Sequence, residues 1–201
     1  MDTYQTIAAT SEGIYKEKGS KFLAFAYPIF SEEEFKNHLA QLKKDYHDAR
    51  HHCYAFKLGL TENEFRYSDD GEPNNSAGKP IYGQILSKNL TNVGIVVVRY
   101  FGGTKLGVGG LVTAYKEAAA DALQHAKIIN QTVKNFYQIL FDYPVMSEVM
   151  NFVKHHQLQI TKQLFENACL IEFGIRKSEA DTVVSELEKI EGVKVKFLRT
   201  I

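Results

Sequence analysis

Residues Tyr67–Ala120 read YSDDGEPNNSAGKPIYGQILSKNLTNVGIVVVRYFGGTKLGVGGLVTAYKEAAA, and their order decides the fold around them. An acidic turn (Asp69, Asp70, Glu72) leads into a helix expected over Ala77–Lys88. Pro80 suits its first turn, and Ile81, Ile85 and Leu86 are expected on one face. After a connector at Asn89–Asn92, Val93–Phe101 is β-branched and almost wholly apolar, the composition of a central strand covered on both faces. Five glycines fill the loop from Gly102 to Gly110. A second helix is expected from Leu111, because Leu111, Tyr115, Ala118 and Ala122, with Ala119 and Leu123, fall at helical spacing. Its small alanine face lets it approach a sheet closely. The first domain is expected to close near Lys127.

Upstream, Lys18–Phe30 reads as a strand ending at Pro28. Ser31 followed by Glu34 has capping-box spacing for a surface helix over Glu32–Tyr46, with Phe35, Leu39 and Leu42 inward. His51–Gly59 reads as a strand that pairs with Phe65–Ser68. Downstream, a strand (Val133–Asp142) precedes a helix opened by Pro144. A hairpin (Gln157–Phe165 and Ala168–Arg176, joined at Glu166-Asn167) leads to a helix capped by Ser178 and stopped at Gly192. Val193, Val195 and Phe197 form a final alternating strand. That order, βαββαβ, is ferredoxin-like. The expectation is an α+β chain of two domains, 1–130 and 131–201.

Twenty-four basic and 24 acidic residues cancel in 201. With no net field, nucleic-acid binding must come from a local patch, which argues against a dedicated DNA binder. The opening MDTYQTIAAT lacks the apolar core of a signal peptide, and the run Val93–Val98 is far too short to span a bilayer. Cys53 and Cys169 both sit in apolar strand-like runs, so buried free thiols and a reducing cytoplasm are expected, with no membrane partner.

The glycine loop, Arg99 to Gly110, runs from a strand to a helix start. Glycines let backbone N–H groups approach a ligand, and a helix start favours negative charge, so a phosphate or carboxylate suits the loop. Arg99 and Lys105 supply counter-charge. The same glycines also serve a tight turn with close helix–sheet packing. No Gly-Lys-Ser/Thr ending makes a P-loop, and a dinucleotide fingerprint from Gly107 fails at Val112. The acidic turn offers three readings: oxygens for a hard cation, caps for the next helix, or a charge network joining Asp69 or Asp70 to Arg99 or Lys105. His47, His51, His52 and Cys53 do not complete a metal set, and strand alternation puts His51 and Cys53 on one face with His52 on the other. His155-His156 reads as a solvated helix end. No catalytic residue, metal site or cofactor is assigned.

The segments Ser68–Pro73, Ala77–Pro80, Arg99–Gly107 and Gly109-Gly110-Leu111 closely resemble the YigZ/IMPACT family. The match extends through Lys18–Phe22 and the His51/Cys53/Ala55 strand, and residues 131–201 fit the bacterial YigZ branch. The resemblance implies a first domain similar to the second domain of a small-subunit ribosomal protein, a fold shared with GHMP kinases and elongation factor G domain IV. It implies a ferredoxin-like second domain similar to domain V of that factor. Eukaryotic relatives modulate translation initiation by competing for an activator of a starvation kinase, a pathway bacteria lack. Asn74-Asn75-Ser76 departs from the Gly-Thr pair of many relatives, and Asn75 tolerates the left-handed backbone glycine would favour.

Two functions follow as expectations. The first is a non-enzymatic protein acting in regulation of translation through RNA, the ribosome or a translation-associated protein. Its candidate surface is Lys79, Arg99, Tyr100, Gly102, Gly103, Lys105, Gly107 and Gly109, braced by Asp69, Asp70 and Glu72, with Tyr67, Tyr82, Tyr100 and Phe101 for stacking. The alternative is an enzyme or small-molecule phosphate or nucleotide binder using the glycine-rich loop.

Overall fold

In the computed structural model, which describes residues 2–61, 63–166 and 168–201, the chain divides into two compact units. One is Tyr4–Gln131; the other is Thr132–Ile201 with the residues up to Thr3. The first runs β1 (Thr3–Ile7), β2 (Ser11–Glu17), β3 (Ser20–Pro28), α1 (Glu32–Asp45), β4 (His51–Lys57), β5 (Phe65–Ser68), α2 (Gly78–Ser87), β6 (Val93–Tyr100), α3 (Gly107–His125) and β7 (Ile128–Thr132). A five-stranded antiparallel sheet has the order β2-β3-β6-β4-β5, and β1 pairs with β7 in a small second sheet.

The central place of β6 accounts for its composition. Ile95 and Val97 join the core under α2 and α3, while Val96 and Val98 join Phe35 and Leu42 of α1 on the opposite face. A strand buried on both sides has no use for alternating polar residues. On α3, Leu111, Ala114, Tyr115, Ala118, Ala119, Ala122 and Leu123 are all buried. Close approach is mutual: a Cβ on Gly13 of β2 would stand 2.2 Å from the backbone nitrogen of Ala122. Ser31 caps α1 by accepting from the Glu34 N–H at 3.1 Å.

Several expectations need correction. β1, β2 and β7 have no apolar run to announce them. Lys18-Gly19 is not the start of a strand but the two-residue turn of the β2–β3 hairpin, both residues at positive φ (46° and 80°), the geometry that suits strand twist. Leu86 is 48% exposed rather than packed with Ile81 and Ile85. α3 begins at Gly107, one turn before Leu111, so three glycines that propensity assigns to a loop lie in its first turn.

The second unit contains β8 (Lys134–Phe141), a 3-10 turn (Tyr143–Val145), α4 (Met146–His155), β9 (Gln159–Phe165), β10 (Cys169–Arg176), α5 (Lys177–Leu187) and β11 (Lys194–Thr200). Its antiparallel sheet has the order β11-β8-β10-β9, the ferredoxin-like topology. Ile139, Phe141, Ile171 and Phe173 meet Val149, Val153, Val183 and Leu187 of the helices. Pro144 sits in the 3-10 turn, one turn ahead of α4. Ser178 is not a cap; it lies inside α5, and its hydroxyl donates to Asp2 at 3.1 Å. α5 ends at Leu187, before Gly192. His156 is no solvated end either: its Nε2 lies 3.1 Å from Glu186. Asn167 of the expected hairpin turn lies outside the described residues. The chain is thus a two-domain α+β protein. No helix among the described residues is long and apolar enough to cross a membrane.

Candidate functional site

Strand alternation carries Arg99 onto the same face of β6 as Ile95 and Val97, at the point where the core under α3 runs out. It pairs in register with Phe22 on β3 and His51 on β4. The side chain is 8% exposed, and Nη1 donates to Glu72 Oε1 at 2.5 Å, with the Glu72 side chain only 4% exposed. Tyr115 of α3 donates its hydroxyl to the same oxygen at 2.8 Å, and the Cys53 thiol lies 3.3 Å from that hydroxyl. The Arg99 guanidinium also stands 5.5 Å from the Phe22 ring centre and 5.7 Å from that of Phe101. A buried charge is tolerable when it is paired in this way.

The acidic turn folds around its own backbone. Asp69 accepts from the N–H groups of Asn75 (2.8 Å), Ala77 (3.0 Å) and Gly78 (2.8 Å), supplying the cap that Ala77 cannot give α2. Asp70 accepts from the His52 N–H at 2.7 Å and lies 3.7 Å from Lys43. The partner of Arg99 is therefore Glu72, not Asp69 or Asp70. Asp70, Gly71 and Asn75 all have positive φ, at 40°, 87° and 63°. Asn75 thus holds the left-handed position its residue type tolerates. Among the described residues, no three His, Cys, Asp or Glu side chains converge as a metal set.

A pocket of about 830 Å³ opens beside this brace. Arg99, Tyr100, Lys105 and Gly107 line it, together with Asp48, Arg50, His51, Glu72 and Phe101. Tyr100 donates to Asp48 at 2.7 Å; that hydrogen bond pushes the phenol up to about 12 and holds the Asp48 carboxyl below its ordinary value. Lys79 is exposed at the start of α2 and is not among the lining residues. Gly102 serves packing: a Cβ there would lie 1.9 Å from the carbonyl carbon of Gly19. Gly103 and Gly107 hold positive φ at 89° and 72°. Gly109 lies in the first turn of α3 with open space around it. Tyr67 and Tyr82 stack with Phe65 rather than with Tyr100 and Phe101.

Asp48 and Arg50 escaped sequence reading because nothing local marks them. Their one signal is His51, whose strand pairs directly with Arg99. Tyr115 was legible as a core residue, but not as a hydrogen-bond donor to the ion pair. Burial pushes the thiol of Cys53 and the phenol of Tyr115 upward, so neither is poised as a nucleophile.

Fold and pocket define a two-unit α+β chain whose first unit presents a charge-braced pocket at a helix start. The Impact N-terminal domain matches residues 18–123. The chain is 32% identical over 178 residues to an IMPACT family member of Haemophilus influenzae, covering 87% of this chain and 86% of that protein. It is 32% identical over 145 residues to the IMPACT family member YigZ of Escherichia coli, covering 71% of each. The chain belongs to the IMPACT family. A solved structure described as that of an hypothetical protein is similar across 99% of this chain and 98% of its own, with a TM-score of 0.79 at 25% identity.

Proposed function

We propose that the chain is a non-enzymatic binding protein that acts in translation by engaging RNA, free or on the ribosome, through the pocket beside the Glu72–Arg99 pair. The observation that carries this reading is the charge arrangement. Arg99 is neutralised by Glu72, yet Arg50 and Lys105 on the same pocket are exposed and have no acidic partner within 4.0 Å among the described residues. Two free cations beside a helix start form a local positive patch on a chain of zero net charge, which suits phosphate contacts. Arg99 then positions the loop, and Lys105 and Arg50 make the direct contacts.

The test is co-sedimentation of purified chain with ribosomal subunits, with and without prior nuclease treatment, against an Arg50→Glu/Lys105→Glu variant. Wild type should pellet with intact subunits, be released by nuclease, and lose association with rising salt. Equal pelleting by the charge-reversed variant contradicts the reading.

A further inference from the structure

Three observations meet at the start of α3. No side chain caps this helix and no acidic residue lies in its first turn, so the amide end faces the pocket uncompensated. Arg99 lines the same pocket, is 92% buried by its 8% exposure, and has an Nε with no hydrogen-bond partner. A buried donor left unpaired within the protein is costly and marks a place where something else is bound. Gly109 adds a third sign. Glycine in a helix is about 1 kcal/mol worse than alanine, yet a Cβ at Gly109 would meet no atom within 4 Å. Nothing inside the protein requires glycine there; its bare backbone leaves room for a group from outside.

The pocket is not uniformly polar. Phe101 and Val108, each 56% exposed, stand on its wall, and the Arg99 guanidinium lies over the Phe101 ring. Its volume of about 830 Å³ accommodates a nucleotide-sized molecule. An anion at the helix start and a flat ring beside Phe101 together describe one ligand chemistry.

We infer that this pocket holds a terminal nucleotide, its phosphomonoester on the α3 amides near Lys105 and its base against Phe101. The inference rests on the RNA reading above and narrows it from internal backbone phosphates to a chain end. A mononucleotide and the phosphorylated end of an RNA present the same group, so both are tested.

The experiment is calorimetric titration of the full chain with adenosine 5′-monophosphate, adenosine, a 5′-phosphorylated oligouridylate and its 5′-hydroxyl counterpart. Wild type should bind each phosphorylated probe about tenfold tighter than its hydroxyl partner; preference in the oligomer alone assigns the site to RNA ends. Gly109→Asp places a carboxylate where the phosphate would sit. It has room for its Cβ and a favourable helix position, so it should fold with an unchanged or raised melting temperature and lose the preference. Equal binding of phosphorylated and hydroxyl oligomers, or a preference that survives Gly109→Asp, overturns the inference and leaves RNA binding standing. Binding of none of the four overturns both.

Discussion

Glu72 and Arg99, 27 residues apart in sequence, form an ion pair with both side chains out of water. Removing one partner of such a pair leaves an uncompensated buried charge, at a cost of about 3–5 kcal/mol. Arg99→Met should lose stability on that scale in urea denaturation. The Glu72→Leu/Arg99→Met double variant should recover much of it, since apolar replacement of a whole pair is often neutral. A double variant no more stable than the single one would contradict the pairing.

Two glycines of the same loop should respond in opposite directions. Gly102→Ala drives a methyl group into the Gly19-Ser20 backbone and should destabilise by about 1–3 kcal/mol. Gly109→Ala meets open space within a helix and should stabilise by about 0.5–1 kcal/mol. Melting temperatures of the two variants decide the matter. A shift of the same sign in both is incompatible with the geometry.

Asp69 caps α2 from outside the helix. Asp69→Ala should cost about 1–2 kcal/mol and speed hydrogen exchange at Ala77 and Gly78, whose N–H groups it receives. Unchanged exchange at those amides would show that the cap is not in force.

Burial of His52, 5% exposed with Nε2 unpaired, holds its ring below the ordinary value, with the charge of Asp70 opposing and that of Lys43 assisting. The folded state then binds its proton more weakly than the unfolded state. Stability from this source is full above the unfolded value of about 6.5 and falls as the pH drops toward the folded one. Proton NMR should find His52 titrating below 6.5, and His52→Gln should flatten the stability profile in that window. A ring titrating at or above 6.5 would reverse the sign.

Cys53 is fully buried, hydrogen-bonded, and its thiol is pushed upward by burial. Neither it nor buried Cys169 should react with a thiol reagent until the chain unfolds. Rapid labelling of Cys53 in the folded protein would reopen a nucleophilic role.

Strong periodicity made most of the architecture legible. The apolar run of β6, the alanine face of α3 and the βαββαβ order each rest on burial patterns that a linear sequence displays. β2 was illegible because only one of its faces packs, against α3, and the feature that admits the helix is Gly13, which adds no apolar signal. The start of α3 was misplaced because Gly107, Gly109 and Gly110 oppose helix by propensity while packing of Leu111 and Tyr115 overrides it. At the site, sequence located the acidic turn and Arg99 but not which acid pairs with it. Asp69 is drawn off to cap α2 and Asp70 to the His52 amide, which leaves Glu72 facing Arg99. That division depends on positive φ at Asp70 and Gly71, which no spacing rule displays.

The most direct test of the pocket as an RNA-binding surface is the salt dependence of binding to 5′-phosphorylated single-stranded RNA, wild type against Lys105→Glu. Loss of the Lys105 phosphate contact should weaken binding and lower the slope of log affinity against log salt by roughly one. The same affinity and slope for both proteins would show that Lys105 and its pocket do not contact the ligand.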